Sequence, residues 1–326
     1  MRPIKIVGTG SYLPPKVLTN FDLEKLMDTS DEWITERTGI KERHIADPDT
    51  ATSDLVVEST YKALENTGLE LKDIDAMIVA TASPDTIYPS TACWAQKKLK
   101  IPKIPVFDIS AACSGFLYGL EIASSLVETG RYRNVLVCGA EIMSKIVNWS
   151  DRNTCVLFGD GAGSVIVSAS EGDSGMLASY LGADGSLAEL LYQPAGGTQM
   201  PASQETIDKK LHSVHMQGRE IFKHAIRTME DSAKRVLKEA DLTIDDIALF
   251  IPHQANLRIV EATCERMCIS MDKTYVVIHK YGNVPAASIP LTLDEANRTG
   301  RIKRGDNILF AGFGAGFTWG AMVLKW

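Results

Sequence analysis

Short apolar runs alternate along this chain with longer amphipathic segments. Such runs, rich in branched residues, are typical of strands buried on both faces of a parallel sheet, and the amphipathic segments between them predict crossover helices. Right-handed strand-helix-strand units then give an α/β fold. The five clearest strand candidates are MIVAT (77–81), PVFDI (105–109), NVLVCG (134–139), ALFIP (248–252) and NILFAG (307–312).

The chain also repeats its own pattern, which indicates an internal duplication. Four segments of the first half match four of the second in the same order: 63–83 with 236–256, 106–116 with 276–286, 129–139 with 299–312, and 159–167 with 312–323. In this alignment Cys113 and Asn283 hold equivalent positions. We expect an N-terminal half, 1–172, and a C-terminal half, 173–326, joined by an irregular excursion over 183–212.

The composition is that of a globular protein, with 45% hydrophobic and 23% charged residues. The 34 basic and 41 acidic residues give a net charge of −7, which argues against general nucleic-acid binding. No run of 18 apolar residues predicts a membrane span, and the first residues resemble a strand rather than a signal peptide. We therefore expect a cytoplasmic location with reduced thiols. Of the six cysteines, five are expected to be small core residues.

The sixth cysteine, Cys113, lies where a predicted strand passes into a predicted helix, in the stretch FDISAACSGF. It could be a buried packing residue or a nucleophile. A helix N-terminus carries a positive dipole end, so this context is expected to lower the pKa of the thiol.

Two further polar residues follow predicted strands. His253 comes directly after ALFIP, and Asn283 lies in YGNVPAAS, the turn that matches the Cys113 turn. Sites in α/β folds gather at such strand ends. The glycine-rich loop 311–320 lacks a nucleotide-binding pattern; it is either a tight turn or a source of backbone amides for an oxyanion. His212 and His215 have no further ligand cluster nearby, so no metal site is expected.

Two sets of three residues are spaced four positions apart, the spacing that places side chains on one face of a helix. Thr29, Trp33 and Arg37 would share one helix face, either as a Trp covered by an Arg stem or as a platform for an aromatic base and phosphates. Arg219, Lys223 and Arg227 form a second series, for which a solvated face is the ordinary interpretation.

Taken together, DISAACSGF, WSDRNTCVLFGDGAG, PHQANLRI, YGNVPAASIP and GFGAGFTWG resemble the β-ketoacyl-acyl-carrier-protein synthase III family over nearly the whole chain. The resemblance implies the thiolase fold, in which duplicated βαβαβαββ halves form five αβαβα layers, and a homodimer. It also implies a decarboxylative Claisen condensation of a short acyl-CoA primer with malonyl-acyl-carrier protein, which starts fatty-acid synthesis. Acyl-CoA and the carrier protein are then substrates, and no cofactor is expected.

The resemblance also implies a role for individual residues. Cys113 would accept the primer acyl group, and His253 and Asn283 would bind the malonyl thioester carbonyl. The backbone amides of Cys113 and Ala315 would form the oxyanion hole. The remaining implied contacts are Trp33 and Arg152 around the CoA adenine, Thr29 and Arg37 elsewhere on CoA, Lys223 and Arg258 with acyl-carrier protein, and Tyr88 in the primer pocket across the dimer.

The sequence departs from the family pattern at three points. Ala315 replaces the middle glycine of the last loop, Tyr88 replaces a common Phe, and NVPAAS replaces NTSAAS, so that Val284 and Pro285 bear on the turn around Asn283. Three other functions stay open at this point: a papain-like Cys-His-Asn protease, a non-enzymatic acyl-CoA-binding protein, and a specialised synthase of the same fold in secondary metabolism.

Overall fold

The computed structural model describes residues 3–172 and 174–326, which form thirteen strands and ten helices. The strands are β1 (Ile4–Tyr12), β2 (Lys16–Thr19), β3 (Glu42–Ile45), β4 (Ala76–Ala80), β5 (Val106–Ile109), β6 (Asn134–Ile142), β7 (Asp160–Ala169), β8 (Gly175–Ala183), β9 (Leu191–Tyr192), β10 (His215–Met216), β11 (Leu249–Pro252), β12 (Asn307–Gly314) and β13 (Thr318–Lys325). The helices are α1 (Asn20–Glu24), α2 (Asp31–Thr38), α3 (Thr52–Leu64), α4 (Thr91–Leu99), α5 (Gly115–Glu128), α6 (Gln204–Asp208), α7 (Gly218–Glu239), α8 (Leu257–Met267), α9 (Ile278–Tyr281) and α10 (Ser288–Arg298).

Two mixed sheets share one topology. The first has the order β1-β7-β6-β4-β5, in which β4 is parallel to β5 and β6, and β7 is antiparallel to β6 and β1. The second has the order β8-β13-β12-β11, with β11 parallel to β12 and β13 antiparallel to both of its neighbours. The segment equivalent to β5 makes one parallel bridge, between Phe250 and Thr274. Equivalent strands thus have equivalent partners, as a duplication requires.

Five layers follow from what the helices cover. Helices α5 and α10 lie between the two sheets, where their apolar residues join strand residues of both sheets in one core. Helices α3 and α4 cover the outer face of the first sheet, and α7 and α8 cover that of the second. This αβαβα arrangement confirms the predicted thiolase fold. The five predicted strands are also confirmed as β4, β5, β6, β11 and β12. Four of them are buried on both faces, as their composition indicates, whereas β5 at the sheet edge is only partly buried.

The irregular segment 183–212 does not join the two halves, as we expected it to do. Strand β8 pairs with β13 in the second sheet, so residues 183–212 are an insertion within the second half and not a link between the halves. The expectation was wrong because an irregular segment shows nothing of the strand that precedes it. The strands of the first sheet end at Ala169 and those of the second begin at Gly175. The proposed boundary itself, 172/173, falls at Asp173, which lies outside the described residues.

The cysteines also differ in part from expectation. Cys138, Cys155 and Cys264 are buried, but Cys93 is half-buried and Cys268 is exposed. Cys268 terminates α8 with a φ of 56°, so it lies at the surface end of the helix and not on its buried face. Within residues 3–172 and 174–326, no helix combines the length and the apolar character needed to cross a membrane.

Candidate active site

Cys113 lies in a 3-10 turn (Ala112–Ser114) between β5 and α5, as the strand-turn-helix pattern predicted. Ala112 has a φ of 45°, the left-handed region that is sterically costly for a residue with a Cβ. The turn is held by hydroxyl groups: Ser114 Oγ donates to Thr318 Oγ1 (2.7 Å), and Thr318 Oγ1 donates to Ala111 O (3.0 Å). The cysteine is therefore fixed at the end of a central helix.

The loop between β12 and β13 closes on this turn. A Cβ built at Gly314 would lie 2.6 Å from the backbone N of Cys113 and 3.1 Å from Ala111 O. Only glycine permits this approach. It brings the following residue, Ala315, to the cavity that Cys113 also lines. The amide of Ala315 depends on its backbone alone, so the departure from glycine at this position leaves a donor in place.

The expected lowering of the Cys113 pKa is wrong for this structure. The side chain is only 5% exposed, and burial raises the pKa of the thiol above its usual range, as does the carboxylate of Glu141 to a smaller extent. Its own backbone N–H acts in the opposite direction. Desolvation of the buried thiol therefore outweighs the opposing backbone N–H and disfavours the thiolate.

His253 directly follows β11, at the end of the second sheet nearest the Cys113 turn. Its backbone N–H donates to Ala311 O on β12 (2.8 Å), three residues before Gly314. The imidazole is fully buried, with its edge towards the Phe313 ring (5.6 Å between centroids). Burial lowers the pKa of His253 to about 3, so the ring is neutral. Nδ1 lies 2.6 Å from Ser288 Oγ, whereas Nε2 has no partner among the described residues.

Asn283 lies in the turn before α10, the position equivalent to Cys113. Its backbone N–H donates to Leu157 O (2.8 Å), and its carbonyl accepts from Gly159 N (2.9 Å). The preceding Gly282 has a φ of 66°. Pro285 leaves both backbone hydrogen bonds intact. The buried side-chain oxygen Oδ1 of Asn283 has no partner in the described part of the chain. Two buried polar groups, on His253 and Asn283, are thus without partners.

A cavity of about 400 Å³ opens at the Cys113 turn, and neither His253 nor Asn283 is among the residues that line it. Cys113, Pro285 and Ala315 line it, and the insertion after β8 forms one wall through Ala188 and Leu191. Tyr88 does not line this cavity; it is 85% exposed on the surface of its own chain.

Trp33 lies on α2, and two guanidinium groups lie close to its ring. The Arg37 Cζ is 4.7 Å and the Arg152 Cζ 5.1 Å from the centre of its ring, both within cation-π range. Thr29 is not on this helix, contrary to the expectation, because Ser30 accepts the Trp33 N–H (3.0 Å) as N-cap and the helix begins at Asp31. The buried Thr29 Oγ1 has no partner in the described ranges.

The second charged series is divided by the structure. Arg219 and Lys223 on α7 line a surface cavity of about 470 Å³ together with Arg37 and Arg258. The Arg258 guanidinium lies over the ring of Phe222, at 5.9 Å. Arg227 lies outside this cavity and pairs with Asp231 instead (3.6 Å). We call the four cavity residues the basic cluster.

Sequence reasoning missed two buried polar residues of this region, Ser288 and Glu141. Glu141 lies two residues after the predicted run NVLVCG (134–139), next to the last residue of β6, and a polar residue at the end of a buried strand is the signal that singled out His253. Its carboxylate accepts from Ala82 N (3.0 Å) and Ala286 N (3.3 Å), so it ties the first half to the Asn283 turn. Burial raises its pKa to about 7. No group of three metal-ligating side chains occurs within the described ranges.

Comparison with known proteins gives one consistent family. Residues 107–185 match the model described as 3-oxoacyl-[acyl-carrier-protein] synthase III, and residues 237–326 match that of its C-terminal part. Residues 29–145 also match the stage V sporulation protein AD model.

Individual relatives cover the chain from end to end. The β-ketoacyl-[acyl-carrier-protein] synthase III of Caldanaerobacter subterraneus subsp. tengcongensis is 58% identical over 98% of this chain and 97% of its own. The crystal structure of 3-oxoacyl-[acyl-carrier-protein] synthase III from Aquifex aeolicus is 49% identical, with a TM-score of 0.92 and coverage of 99% and 100%. The priming β-ketosynthase of the R1128 polyketide pathway is 32% identical, with a TM-score of 0.92 and coverage of 99% and 96%.

The fold, the order of the site residues and these full-length matches agree, and the chain belongs to the 3-oxoacyl-[acyl-carrier-protein] synthase III family of condensing acyltransferases.

Proposed function

We propose that this protein condenses a short acyl-CoA primer with malonyl-acyl-carrier protein, giving 3-oxoacyl-acyl-carrier protein, CoA and CO₂, as the first condensation of fatty-acid synthesis. The observation that carries the proposal is the pair of buried groups without a partner among the described residues, His253 Nε2 and Asn283 Oδ1, close in the fold to the cavity that Cys113 and Ala315 line. Buried polar groups are normally hydrogen-bonded, so both atoms are suited to substrate contacts. His253 Nε2 can donate to a substrate oxygen, and Asn283 Oδ1 can accept from a substrate N–H while the Nδ2 of the same amide remains a donor.

In the first half-reaction the Cys113 sulfur attacks the thioester carbonyl of acyl-CoA. A carbon–sulfur bond to the enzyme forms, the bond to CoA breaks, and the thiol proton leaves with the CoA sulfur. The backbone amides of Cys113 and Ala315 stabilise the oxyanion that develops. The covalent thioester divides one difficult step into two.

In the second half-reaction the malonyl group loses CO₂, and the electron pair becomes an enolate. The enolate oxygen accepts from the His253 Nε2–H and from the Asn283 side-chain Nδ2–H. A neutral imidazole suits this task, because it donates one hydrogen bond and removes no proton. The enolate carbon then attacks the Cys113 thioester, a carbon–carbon bond forms, and the cysteine sulfur departs as a thiolate that takes up a proton from solvent.

The Trp33 platform serves CoA in this proposal. The adenine of CoA stacks between Trp33 and Arg152. Because the Arg152 guanidinium lies against the Trp33 ring in this structure, the Arg152 side chain must move aside to admit the adenine. Thr29 and Arg37 make the further CoA contacts. The basic cluster, with Lys223 and Arg258, receives the acidic carrier protein, whose approach a local positive field accelerates despite the net charge of −7. Acyl-CoA and malonyl-carrier protein are substrates, and no resident cofactor is included.

The active form is proposed to be a homodimer in which each chain is one pair of thiolase-like halves, 1–172 and 173–326. Strand β5 is at the edge of the first sheet and its Phe107 is 37% exposed. An open edge of this kind invites pairing with a second chain. Ile87 and Tyr88 are 79% and 85% exposed, as expected for residues that a partner covers and that wall the partner's primer pocket.

The test uses mass spectrometry after mixing the protein with a panel of acyl-CoAs. One acyl group per chain should appear on Cys113, should be lost in Cys113→Ala, and should be consumed when malonyl-acyl-carrier protein is added. Labelling of Cys93 or Cys155 instead would overturn the assignment. Acylation without transfer to the malonyl unit would refute the condensing role and favour acyl-CoA binding or hydrolysis.

A further inference from the structure

One residue outside the three proposed catalytic groups touches the catalytic histidine directly. Ser288, the first residue of α10, is 3% exposed, and its hydroxyl lies 2.6 Å from His253 Nδ1. The two residues belong to different elements, and neither the apolar pattern nor the motifs suggested that they meet.

We propose that Ser288 is a positioning residue that fixes the His253 tautomer, with the ring proton on Nε2, so that the imidazole can donate to the substrate.

The hydrogen-bond inventory of the Ser288 hydroxyl carries this assignment. Within residues 3–172 and 174–326, Oγ has two partners: His253 Nδ1 and the backbone N–H of Gln254 at 3.3 Å. The Gln254 N–H can only donate, so it uses a lone pair of Oγ. The hydroxyl proton is then satisfied only by donation to a ring nitrogen with a free lone pair, which requires Nδ1 to be unprotonated.

The opposite tautomer leaves a buried group unsatisfied. If Nδ1 carried the proton, Ser288 Oγ would accept two N–H groups, and its own hydroxyl proton would have no acceptor among the described residues. A buried donor without a partner loses its hydrogen bonds to water and gains none in return, which is energetically unfavourable. In this tautomer Nε2 carries no proton, so it cannot donate a hydrogen bond to an enolate.

Gln254 cannot turn away to relieve this arrangement. Its side-chain Nε2 donates to Pro252 O (3.0 Å) and Tyr275 O (3.2 Å), and its Oε1 accepts from Val277 N (3.2 Å). Gln254 is fully buried. Its backbone N–H is therefore held towards Ser288.

Helix α10 adds a second effect. Since Ser288 is its first residue, the positive end of the helix lies beside the imidazole and disfavours a second proton. The ring is thus kept both neutral and in one tautomer. A histidine in the wrong tautomer retains its position but loses most of its catalytic value, as the Ser-His-Asp proteases show.

The decisive experiment is nitrogen NMR of the protein labelled with ¹⁵N-histidine, in which His253→Gln identifies the His253 signals among the six histidines. Wild type should show a proton on Nε2 and none on Nδ1. Ser288→Ala should show a mixture or the reverse state, and Ser288→Thr should restore the wild-type pattern. A wild-type proton on Nδ1, or an unchanged pattern in Ser288→Ala, overturns the proposal.

A second, kinetic experiment depends on the proposed function, whereas the NMR experiment does not. Failure of the proposed function can therefore be distinguished from failure of the tautomer assignment. Ser288→Ala should lower CO₂ release from malonyl-acyl-carrier protein by about tenfold or more and leave acylation of Cys113 within about threefold. Ser124→Ala is the matched control, because Ser124 is also buried in the middle layer and its hydroxyl bonds, among the described residues, only Leu120 O of its own helix. Equal losses in both half-reactions indicate a merely structural role and contradict the proposal.

Discussion

At the proposed site Cys113 serves acyl transfer, and His253 and Asn283 serve decarboxylation. Asn283→Ala should still be acylated by acyl-CoA but should release CO₂ from malonyl-carrier protein on the order of 10²–10³ more slowly, the usual effect of losing one oxyanion donor. Cys113→Ala should retain some CO₂ release without condensation. His253→Ala should lose decarboxylation most. Separate labels on the acyl and malonyl groups follow the two steps.

The opposite result would favour a protease-like mechanism. If Asn283→Ala decarboxylates at the wild-type rate but is not acylated, then Asn283 orients His253, as in a Cys-His-Asn hydrolase. The geometry argues against that arrangement, because the residue that holds His253 Nδ1 is Ser288. Release of peptide fragments from a generic protease substrate is the matching control.

His253 should also make the protein sensitive to acid. Its pKa is about 3 in the folded protein, below the value near 6.5 of an exposed histidine. Between these values the unfolded chain binds a proton that the folded chain does not, so stability is lost as the pH falls. The loss should approach about 1.4 kcal/mol for each pH unit below 6.5. Urea unfolding at pH 7 and pH 5 should show a smaller difference in His253→Gln; an equal difference contradicts the burial argument.

At the scale of elements, the close approach of β12 to the Cys113 turn should be intolerant of one added carbon. Gly314→Ala places a Cβ 2.6 Å from the Cys113 backbone nitrogen, so the oxyanion amides must separate. Acylation should fall by roughly tenfold or more. Gly185→Ala is the control, since no heavy atom lies within 4 Å of its built Cβ. Equal acylation rates for the two variants would show that the loop is not held by this contact.

Helices α7 and α8 should carry the carrier-protein interaction through the basic cluster. Lys223→Glu and Arg258→Glu should raise KM for malonyl-carrier protein, more strongly at low salt, and leave acylation by acyl-CoA near normal. Arg227→Glu on the same helix is the control, because Arg227 lies outside the cluster. If Arg227→Glu has the same effect, net charge rather than a local site attracts the carrier.

The strands and helices were largely predictable, because burial determines which positions along the sequence are apolar. A strand covered on both faces must be apolar throughout, so β4, β6 and β12 were readable as runs. The strand ends then pointed to Cys113, His253 and Asn283. The Ser288 contact was not readable, because it joins residues 35 positions apart through a fold that a local pattern does not describe. The raised pKa of Cys113 depends on burial, which the helix-end argument left out.

At the scale of the whole molecule, the site should depend on a second chain. Tyr88 is 85% exposed and outside the cavity of its own chain, so it can limit primer length only if a partner brings it there. Phe107→Arg places a charge on the open edge of β5 and should give monomers in sedimentation experiments, together with a broadened or lost primer preference. Tyr88→Ala should shift preference towards longer or branched acyl-CoA while the dimer persists.

A control substitution on another edge strand distinguishes loss of the dimer interface from a general loss of stability. Leu177 is 40% exposed on β8, the edge strand of the second sheet, so Leu177→Arg adds the same charge to a comparable strand. This variant should remain dimeric with an unchanged primer profile. If Phe107→Arg stays dimeric, the interface does not use the β5 edge. If it becomes monomeric and keeps the wild-type primer profile, Tyr88 does not wall the partner's pocket, and the cavity residues of a single chain set the choice of primer.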